Sequence, residues 1–513
     1  MADQFPAIIV ITPLFAALLV ALLSLWRPGF AFPITMIGLV LTLAATIGTL
    51  GQVCQADGHR IVYYLGNWQY AKDGTSPIGI QLVVDGLNAL VLIVIASVGL
   101  LVGIFSLRRA PGVAANKRHH YYTLFLLLIT GLLGMTITGD AFNVFVLLEV
   151  SSLTSYGLIA MGKSKRGSHA AFNYVIMGTI GASLYLLGVG YLYAATGTLN
   201  MEHIRSILAD PATLETSPKT VMVAFILIML GLMIKMAFFP LHGWLANAYT
   251  YSPSASSSIL APLVTKVSIY VMIRMILTVF GPEYAFAGTL DGIVVWLAVL
   301  AIAAGSILAL AQKELKRMLC FLIVAEVGYM VGGIWMANEW GMVGAAYHII
   351  SDAFMTLCLF LAASMIWQKT KSLQISALDG IFKTMPITMI GFVAGAFAMI
   401  GIPPTCGFFS KWYLIRGGIE SGHYEYVVAL LGSSLINAIL FFRIIEVAYF
   451  GKAPKEGYGG EEPLRTKWNE APLSSIIALL TAAAALILIG VFNSKIVEVF
   501  RWAFAGAPMI GGN

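Results

Sequence analysis

The sequence predicts an all-α polytopic membrane protein with about fourteen transmembrane helices, in which two inverted five-helix repeats each contain a broken helix. Composition is the first reason: hydrophobic residues make up 59% and charged residues 11% of the 513 positions, whereas soluble domains carry about 25% charged residues. Apolar runs of about 20 residues, the length that crosses a bilayer, recur along the whole chain. Prolines also interrupt two of these runs at corresponding places.

The apolar runs define the predicted helices in chain order. The first run has no basic leader and no small-residue cleavage site, so we interpret it as a retained helix rather than a signal peptide. The predicted helices lie near residues 5–26, 31–53, 82–107, 120–138, 141–161, 168–195, 218–251, 254–280, 287–310, 316–336, 340–368, 384–416, 424–450 and 473–499.

A weak internal symmetry divides the chain. The runs 120–280 and 281–450 each contain five predicted helices, with an acid in the second (Glu149 or Glu326) and a proline break in the fourth. Because five is odd, the two halves must insert with opposite topology, as in proteins that couple ion movements at the bilayer midplane. Residues 1–119 then hold helices 1–3, and residues 451–513 hold a cytoplasmic loop and helix 14.

Basic residues set the predicted orientation. The net charge of +6 does not indicate a nucleic-acid partner, because the basic residues sort by loop. If the 108–118 loop is cytoplasmic, eighteen basic residues fall on that side and seven on the other. The positive-inside rule therefore predicts a multi-pass protein of the plasma membrane with both termini outside. The cytoplasmic set comprises Arg27, Arg108, Arg109, Lys117, Arg118, the 163–166 and 313–317 clusters, Lys369, Lys371, Lys383 and the 452–467 cluster.

No pattern in the sequence predicts a cofactor, a metal centre or a catalytic residue. The four cysteines are separate, without CxxC or His/Cys spacing. No glycine-rich phosphate loop, haem motif or nucleophile triad is evident. The expected partners are lipid, protons and other membrane subunits.

Ionisable residues inside membrane helices are costly and mark ion pathways by default. In this chain, all of those on the predicted path except Lys235 and Lys411 lie about 8 to 13 residues inside the predicted helix ends, roughly 12–20 Å at 1.5 Å per residue. Such groups of both signs at one level predict a proton path near the midplane. The predicted path residues are Glu149, Lys235, Lys266, Glu326, His348, Asp352 and Lys411. Arg274, Arg443 and Glu446 lie nearer helix ends, where snorkelling or static pairing explains them equally well.

The stretch GIPPTCGFFSKWYL, residues 401–414, interrupts an apolar run beside a lysine. Proline removes a backbone hydrogen bond and clashes with the preceding turn, so Pro403 and Pro404 predict a helix break, as does Pro240 in the first half. Such breaks are tolerated in a bilayer where the backbone lines a cavity or is buried in protein. We assign Gly407 to the same break. The interruption of the helix is expected to leave space for water beside Lys411.

At this point the residues resemble a known family. The segments are TGDAFNVFVLLEVSSLTSYGLIA, KMAFFPLHGWL, APLVTKVSIYVMIRM, LKRMLCFLIVAEVGYM and GIPPTCGFFSKWYL. They are similar to the antiporter-like subunits shared by Mrp-type cation/proton antiporters, respiratory complex I and membrane-bound hydrogenases. The resemblance covers about residues 80–450 and implies a fourteen-helix fold with proton passage along a mid-membrane Glu/Lys/His chain. It also implies that Glu149, Lys235, Lys266 and Lys411 match the family's pathway glutamate and lysines.

The sequence departs from the family pattern near the centre. Many members have a second histidine and a lysine in HxxNHAxFKALLF, where this chain has Asp352 and Met355. Glu326 stands where glutamine or histidine is common, so the central connection is expected to run through Glu326, His348 and Asp352. Oxygen ligands also suit Na⁺, although two carboxylates do not make a site.

Three functions are consistent with the sequence. The favoured one is a proton-translocating subunit of a larger complex, driven by redox chemistry elsewhere or by cation exchange. The others are a stand-alone cation/proton antiporter and a structural membrane scaffold. Because the sequence ends about a dozen residues after the last predicted helix, a shorter subunit of the Mrp-D or hydrogenase type is expected.

Overall fold

The computed structural model describes residues 4–56, 60–68, 79–107, 110–162, 164–211, 216–286, 290–451 and 469–504. Arg108, Arg109, Lys163 and the 452–467 cluster, which entered the orientation prediction, lie outside these residues. Among the described residues, thirteen helices are long and apolar enough to cross a membrane, or up to fourteen if a bent pair is one span. The predicted all-α polytopic fold class is confirmed.

The helices follow one another along the chain with one short hairpin. A two-stranded antiparallel sheet joins β1 (Arg60–Tyr64) to β2 (Gln81–Asp85). The described helices are α1 (Phe5–Leu23), α2 (Ala31–Gln55), α3 (Gly86–Phe105), α4 (Arg118–Ile137), α5 (Ala141–Ala160), α6 (Lys165–Thr196), α7 (Met201–Leu208), α8 (Pro218–Lys235), α9 (Leu245–Tyr251), α10 (Ser254–Arg274, continued by a π-helix at Met275–Phe280), α11 (Pro282–Ala285), α12 (Leu290–Leu310), α13 (Leu315–Trp335), α14 (Glu339–Thr370), α15 (Pro386–Ile400), α16 (Cys406–Glu420), α17 (Tyr424–Phe450), α18 (Leu473–Val491) and α19 (Asn493–Phe504).

Some predicted boundaries were wrong. The run predicted as helix from residue 82 begins as strand β2, and α3 starts only at Gly86. The Asp85 side chain accepts hydrogen bonds from the backbone N–H groups of Leu87 and Asn88, and the Asn88 side chain accepts one from the Asp85 N–H. This capping box fixes the start of the helix. The predicted last helix, 473–499, is two helices that meet at Phe492.

Both ends of the described chain lie on one membrane face, which we call the hairpin face because it holds β1 and β2. The Tyr63 hydroxyl donates to the Gln4 side chain at 2.9 Å. Near the other end, Trp502 lines a cavity together with Arg60 of β1. This agrees with an even number of crossings between the two ends.

Two isolated β-bridges occupy matching positions in the predicted repeats. Asp140, just before α5, pairs with Asn200, just before α7. Glu314, just before α13, pairs with Gln374, a few residues after α14. In each predicted repeat the bridge therefore joins the start of the second helix to the segment after the third helix. The division at residues 119, 280 and 450 remains a prediction.

The centre of the molecule is formed by α13 and α14, whose membrane-crossing segments are buried along their whole length. Helix α10 packs against both. Glu326 on α13 and His348 and Asp352 on α14 are fully buried in this core. The fold thus places three ionisable side chains deep inside the protein.

Candidate functional site

The first pair lies beside the broken helix α8–α9. Lys235 is the last residue of α8, and its ammonium group lies 3.5 Å from Glu149 Oε1 on α5. It also donates a hydrogen bond to Ser152 Oγ at 2.7 Å, one turn further along α5. The carboxyl end of a helix carries partial negative charge, which favours a cation there. Lys235 therefore lies in the last turn of α8, and its ammonium group is held by a carboxylate and a hydroxyl of α5.

The second pair joins the two predicted repeats. Lys266 on α10 lies 2.9 Å from Asp352 Oδ2 on α14, and both side chains are almost completely buried. Lys266 also donates to the Ala261 carbonyl at 3.1 Å, and Asp352 accepts a hydrogen bond from Thr356 Oγ1 at 2.7 Å. Asp352 stands where the family pattern has a histidine, so this chain supplies a full counter-charge at that position.

The third pair lies one helical turn from the second. His348 precedes Asp352 by four residues on α14, so the two side chains are neighbours on one helix face. His348 Nε2 is 2.6 Å from Glu326 Oε2, and His348 Nδ1 is 2.9 Å from Ser410 Oγ on α16. Both ring nitrogens therefore have a partner that can exchange a proton with them.

The geometry around Ser410 supports two protonation patterns of the ring. The Ser410 hydroxyl lies 3.0 Å from the Gly407 carbonyl as well as beside His348 Nδ1. A hydroxyl donates one hydrogen and accepts others. If the hydroxyl donates to the Gly407 carbonyl, His348 Nδ1 carries a proton and donates it to the hydroxyl. A second proton then lies between His348 Nε2 and Glu326. If the hydroxyl donates to Nδ1, Nε2 carries the proton that faces an ionised Glu326. The two ring nitrogens of His348 thus face different partners, a carboxylate on one side and a hydroxyl on the other.

Lys411 is held by the carboxyl end of α15, although it belongs to α16. Its ammonium group donates to the Met399 carbonyl at 2.8 Å and to Ser434 Oγ at 3.0 Å, and it lies 3.4 Å from the Ile400 carbonyl. It also lies 5.3 Å from the centre of the Tyr329 ring, within the range of a cation–π contact. In sequence, Lys235 and Lys411 sit on opposite sides of their breaks. In space, the Lys411 ammonium group reaches the carboxyl end of the first half-helix α15, and Lys235 is itself the last residue of the first half-helix α8.

The prolines lie in the links between half-helices. Pro240 is in the non-helical segment between α8 and α9, and Pro403 and Pro404 are between α15 and α16. Gly407, assigned to the break from sequence, lies instead in the first turn of α16. A Cβ at this position would clash with the Ala398 carbonyl oxygen of α15. Glycine is therefore needed there for close approach of the two half-helices and not for interruption of the helix.

A family model described as the NADH:quinone oxidoreductase/Mrp antiporter transmembrane family matches residues 138–437, more than half of the chain. The chain belongs to this family. The matched segment contains all the residues of the pairs described above. The resemblance stated from the sequence is confirmed.

Relatives of this family match along nearly the whole chain. NADH-quinone oxidoreductase subunit N of Desulforudis audaxviator is 40% identical over 97% of this chain and 98% of its own length. The D-type subunit of the Na(+)/H(+) antiporter of Bacillus subtilis is 29% identical over 88% of both chains. A chain in the structure of the membrane-bound sulfane sulfur reductase, an archaeal respiratory membrane complex, superposes with a TM-score of 0.86 at 28% identity, covering 98% of this chain and 97% of that one.

Three other ionisable residues inside the predicted helices, Arg274, Arg443 and Glu446, lie apart from these pairs. Arg274 forms a two-pronged ion pair with Asp85, with nitrogen–oxygen distances of 2.6 and 2.7 Å. It therefore ties the end of α10 to the start of α3, as the static alternative expected. Arg443 and Glu446 are exposed on α17, and they do not pair with each other in the described structure. Arg274, Arg443 and Glu446 therefore do not belong to the pairs described above.

Several polar partners were missed from the sequence. Ser152, Ser410 and Ser434 each bind one of the pathway bases, and Thr356 binds Asp352. A serine or threonine within three or four residues of a buried charge on the same helix would have identified most of these partners. No group of three or more His, Cys, Asp or Glu side chains within the described part of the chain could hold a metal ion.

Proposed function

We propose that this chain is the proton-translocating membrane subunit of a multisubunit complex of the Mrp antiporter or complex I and hydrogenase type. The observation that carries the proposal is a row of acid–base pairs inside the helix bundle, in which every side chain is buried except the partly exposed Glu149. It runs from the first predicted repeat through the centre to the second, and ends at a base beside each broken helix. The members are Glu149 with Lys235, Lys266 with Asp352, Glu326 with His348, and Lys411.

Each pair suits proton transfer because it contains one group that can hold a proton and one that can release it. A buried charge is tolerated only with its partner, so a proton that neutralises one member weakens the hold on the other. Protonation of one member of a pair therefore changes the charge that the next pair in the row experiences. Ser410 extends the row beyond His348, because its hydroxyl lies 2.9 Å from His348 Nδ1. Lys411 is the next residue of α16.

The row has gaps in direct contact. Within the described residues no hydrogen bond joins the Asp352 carboxylate to Glu326 or His348, or the Ser410 hydroxyl to the Lys411 ammonium group. A further gap separates the first half from the centre. Among the described residues, Lys235 and Lys266 share no hydrogen bond or common partner. Transfer between them therefore needs a side-chain movement or an intervening water molecule. A gap of this kind lets the first half be controlled separately from the centre, which a pump needs to avoid passive leakage.

The orientation belongs to the same proposal. The hairpin face is the outer face, so both termini are outside, and the loops that hold most basic residues are cytoplasmic. Two inverted repeats, residues 120–280 and 281–450, each contribute one broken helix. The driving reaction takes place in partner subunits, because the relatives are named as subunits of an oxidoreductase and of an antiporter. H⁺ is the transported ion that the pairs suit best, and exchange against Na⁺ is the second possibility.

The proposal is tested by proton flux in vesicles that contain the whole complex. Lys411→Ala removes the base at the end of the row while the helix break stays in place. We expect the complex to assemble and its flux to fall to background. Lys369→Ala, which removes a lysine exposed on the opposite face from the hairpin, is the matched control and should transport normally. Normal flux in the Lys411→Ala complex would refute the proposed path.

A further inference from the structure

A cavity of about 810 Å³ opens on the face opposite the hairpin. Its walls come from segments before α4, α6 and α10, the start of α13 and the end of α14. Four basic side chains line it, together with one carboxylate: Arg118, Arg166, Lys316, Lys371 and Glu314. The balance of charge on its walls is therefore strongly positive. The volume lies in the range of about 300–1,000 Å³ that is typical of small-molecule sites.

The backbone adds to this positive potential. Helices α4, α6, α10 and α13 all begin at the cavity. A helix start carries partial positive charge and N–H groups without partners in the helix, so basic residues there are electrostatically unfavourable. Nevertheless Arg118 begins α4, Arg166 is the second residue of α6, and Lys316 is the second residue of α13. An anion in the cavity would convert these repulsions into attractions.

Lys316 distinguishes this cluster from an ordinary cytoplasmic set of basic residues. The positive-inside rule accounts for exposed basic residues on this face, but the Lys316 side chain is only 6% exposed. Its ammonium group donates to the Ser252 carbonyl at 2.8 Å, which is its one hydrogen bond within the described structure. An ammonium group has three N–H donors. Two donors of a buried cation at the cavity wall thus remain for a ligand.

Two more of the basic groups are oriented by aromatic rings at the cavity. The Arg166 guanidinium lies 5.9 Å from the centre of the Tyr251 ring, and the Lys371 ammonium lies 5.1 Å from the centre of the Trp367 ring. Both rings belong to residues that line the cavity. Lys371 also donates a hydrogen bond to the Gln368 carbonyl at 2.8 Å. These contacts place both cations beside the cavity wall.

We propose that this cavity binds a phosphate-bearing anion, either the headgroup of an anionic phospholipid or a soluble phosphate compound. Phosphate offers several acceptor oxygens to arginine, lysine and backbone N–H groups at once. Arg118 begins α4 just before the first predicted repeat, Arg166 lies within that repeat, and Lys316 and Lys371 belong to the second. The bound anion would therefore tie the two halves together on this face. The site does not depend on the proton path.

The test measures anion binding to the purified complex in neutral phosphatidylcholine nanodiscs. The additions are a short-chain phosphatidylglycerol in one series and inorganic phosphate in the other. The cavity variant is Arg166→Gln with Lys371→Gln, which leaves the buried Lys316 in place so that folding is preserved. The control is Lys369→Gln with Lys383→Gln, two exposed lysines on the same face outside the cavity. Both variants lose two positive charges.

At about 1 kcal/mol for each basic residue near a membrane surface, loss of two cations should weaken binding about thirtyfold in the cavity variant. The control variant should bind as the unmodified complex does. Saturable binding of phosphatidylglycerol alone would support a lipid site, and binding of inorganic phosphate as well would support a site for soluble phosphate compounds. Equal weakening in both variants, no saturable binding, or a partner subunit's segment found inside the cavity would overturn the proposal.

Discussion

The ion pair between Lys266 and Asp352 allows structural and functional roles to be separated. At 2.9 Å, the attraction between the two charges is about 6 kcal/mol with an effective dielectric constant of about 20. Asp352→Ala leaves Lys266 as an uncompensated cation in the core and also removes the partner of Thr356. Breaking a buried pair in this way typically costs about 3–5 kcal/mol. We therefore expect the free energy of unfolding to fall by that amount.

The double variant Lys266→Met with Asp352→Ala removes both charges. Replacing a buried pair with apolar residues is often close to neutral, so most of the lost stability should return. Proton flux should not return, because the row then lacks its central pair. Unfolding of the full chain in mixed detergent micelles measures stability, and vesicles with the assembled complex measure flux. Wild-type stability in Asp352→Ala, or normal flux in the double variant, would refute this reasoning.

Further predictions concern the second half and the orientation. Lys411→Arg should assemble but give background flux, because a guanidinium group retains its proton; normal flux would mean that charge alone is required. Ser410→Ala should slow flux about tenfold or more, since loss of one hydrogen bond to a charged group costs about 1.5–3 kcal/mol, and an unchanged rate would exclude Ser410 from the row. Gly407→Ala should reduce the yield of assembled complex, because its Cβ would meet the Ala398 carbonyl, whereas Gly432→Ala, with nothing within 4 Å of the added Cβ, should not. Single cysteines introduced at the exposed positions Ala115 and Ala209 should be labelled from the cytoplasm and from outside respectively, and the reverse pattern would overturn the orientation.

Hydropathy was sufficient to predict the class and approximate number of helices, because a bilayer leaves few ways to satisfy backbone hydrogen bonds. The proline positions likewise predicted where α8–α9 and α15–α16 are interrupted. The hairpin of β1 and β2 and the short helix α7 were missed. Both lie in loops at the hairpin face, where the sequence has no long apolar run that would predict a regular element. The run from residue 82 is apolar enough for a helix, and only pairing with Arg60–Tyr64 makes its beginning a strand.

The candidate site was predictable as a set of residues but not as a set of pairs. Glu149 and Lys235 both belong to the first predicted repeat, and the structure brings them within 3.5 Å. The partnership of Lys266 with Asp352 crosses between repeats, so it depends on how α10 packs on α14. The position of the Lys411 ammonium group also depends on tertiary structure, because its flexible chain reaches back to carbonyls of α15. Sequence spacing alone gives neither result.

We infer that a single proton path uses both halves of the chain. Proton flux of the Glu149→Ala complex tests it most directly, since Glu149 lies at the opposite end of the row from Lys411. The measurement uses vesicles with the whole complex, with assembly verified by the complement of co-purified subunits. We expect full assembly and background flux, because Lys235 loses the carboxylate that balances its charge. Normal flux in the Glu149→Ala complex would contradict the claim, since protons would then cross without the first half.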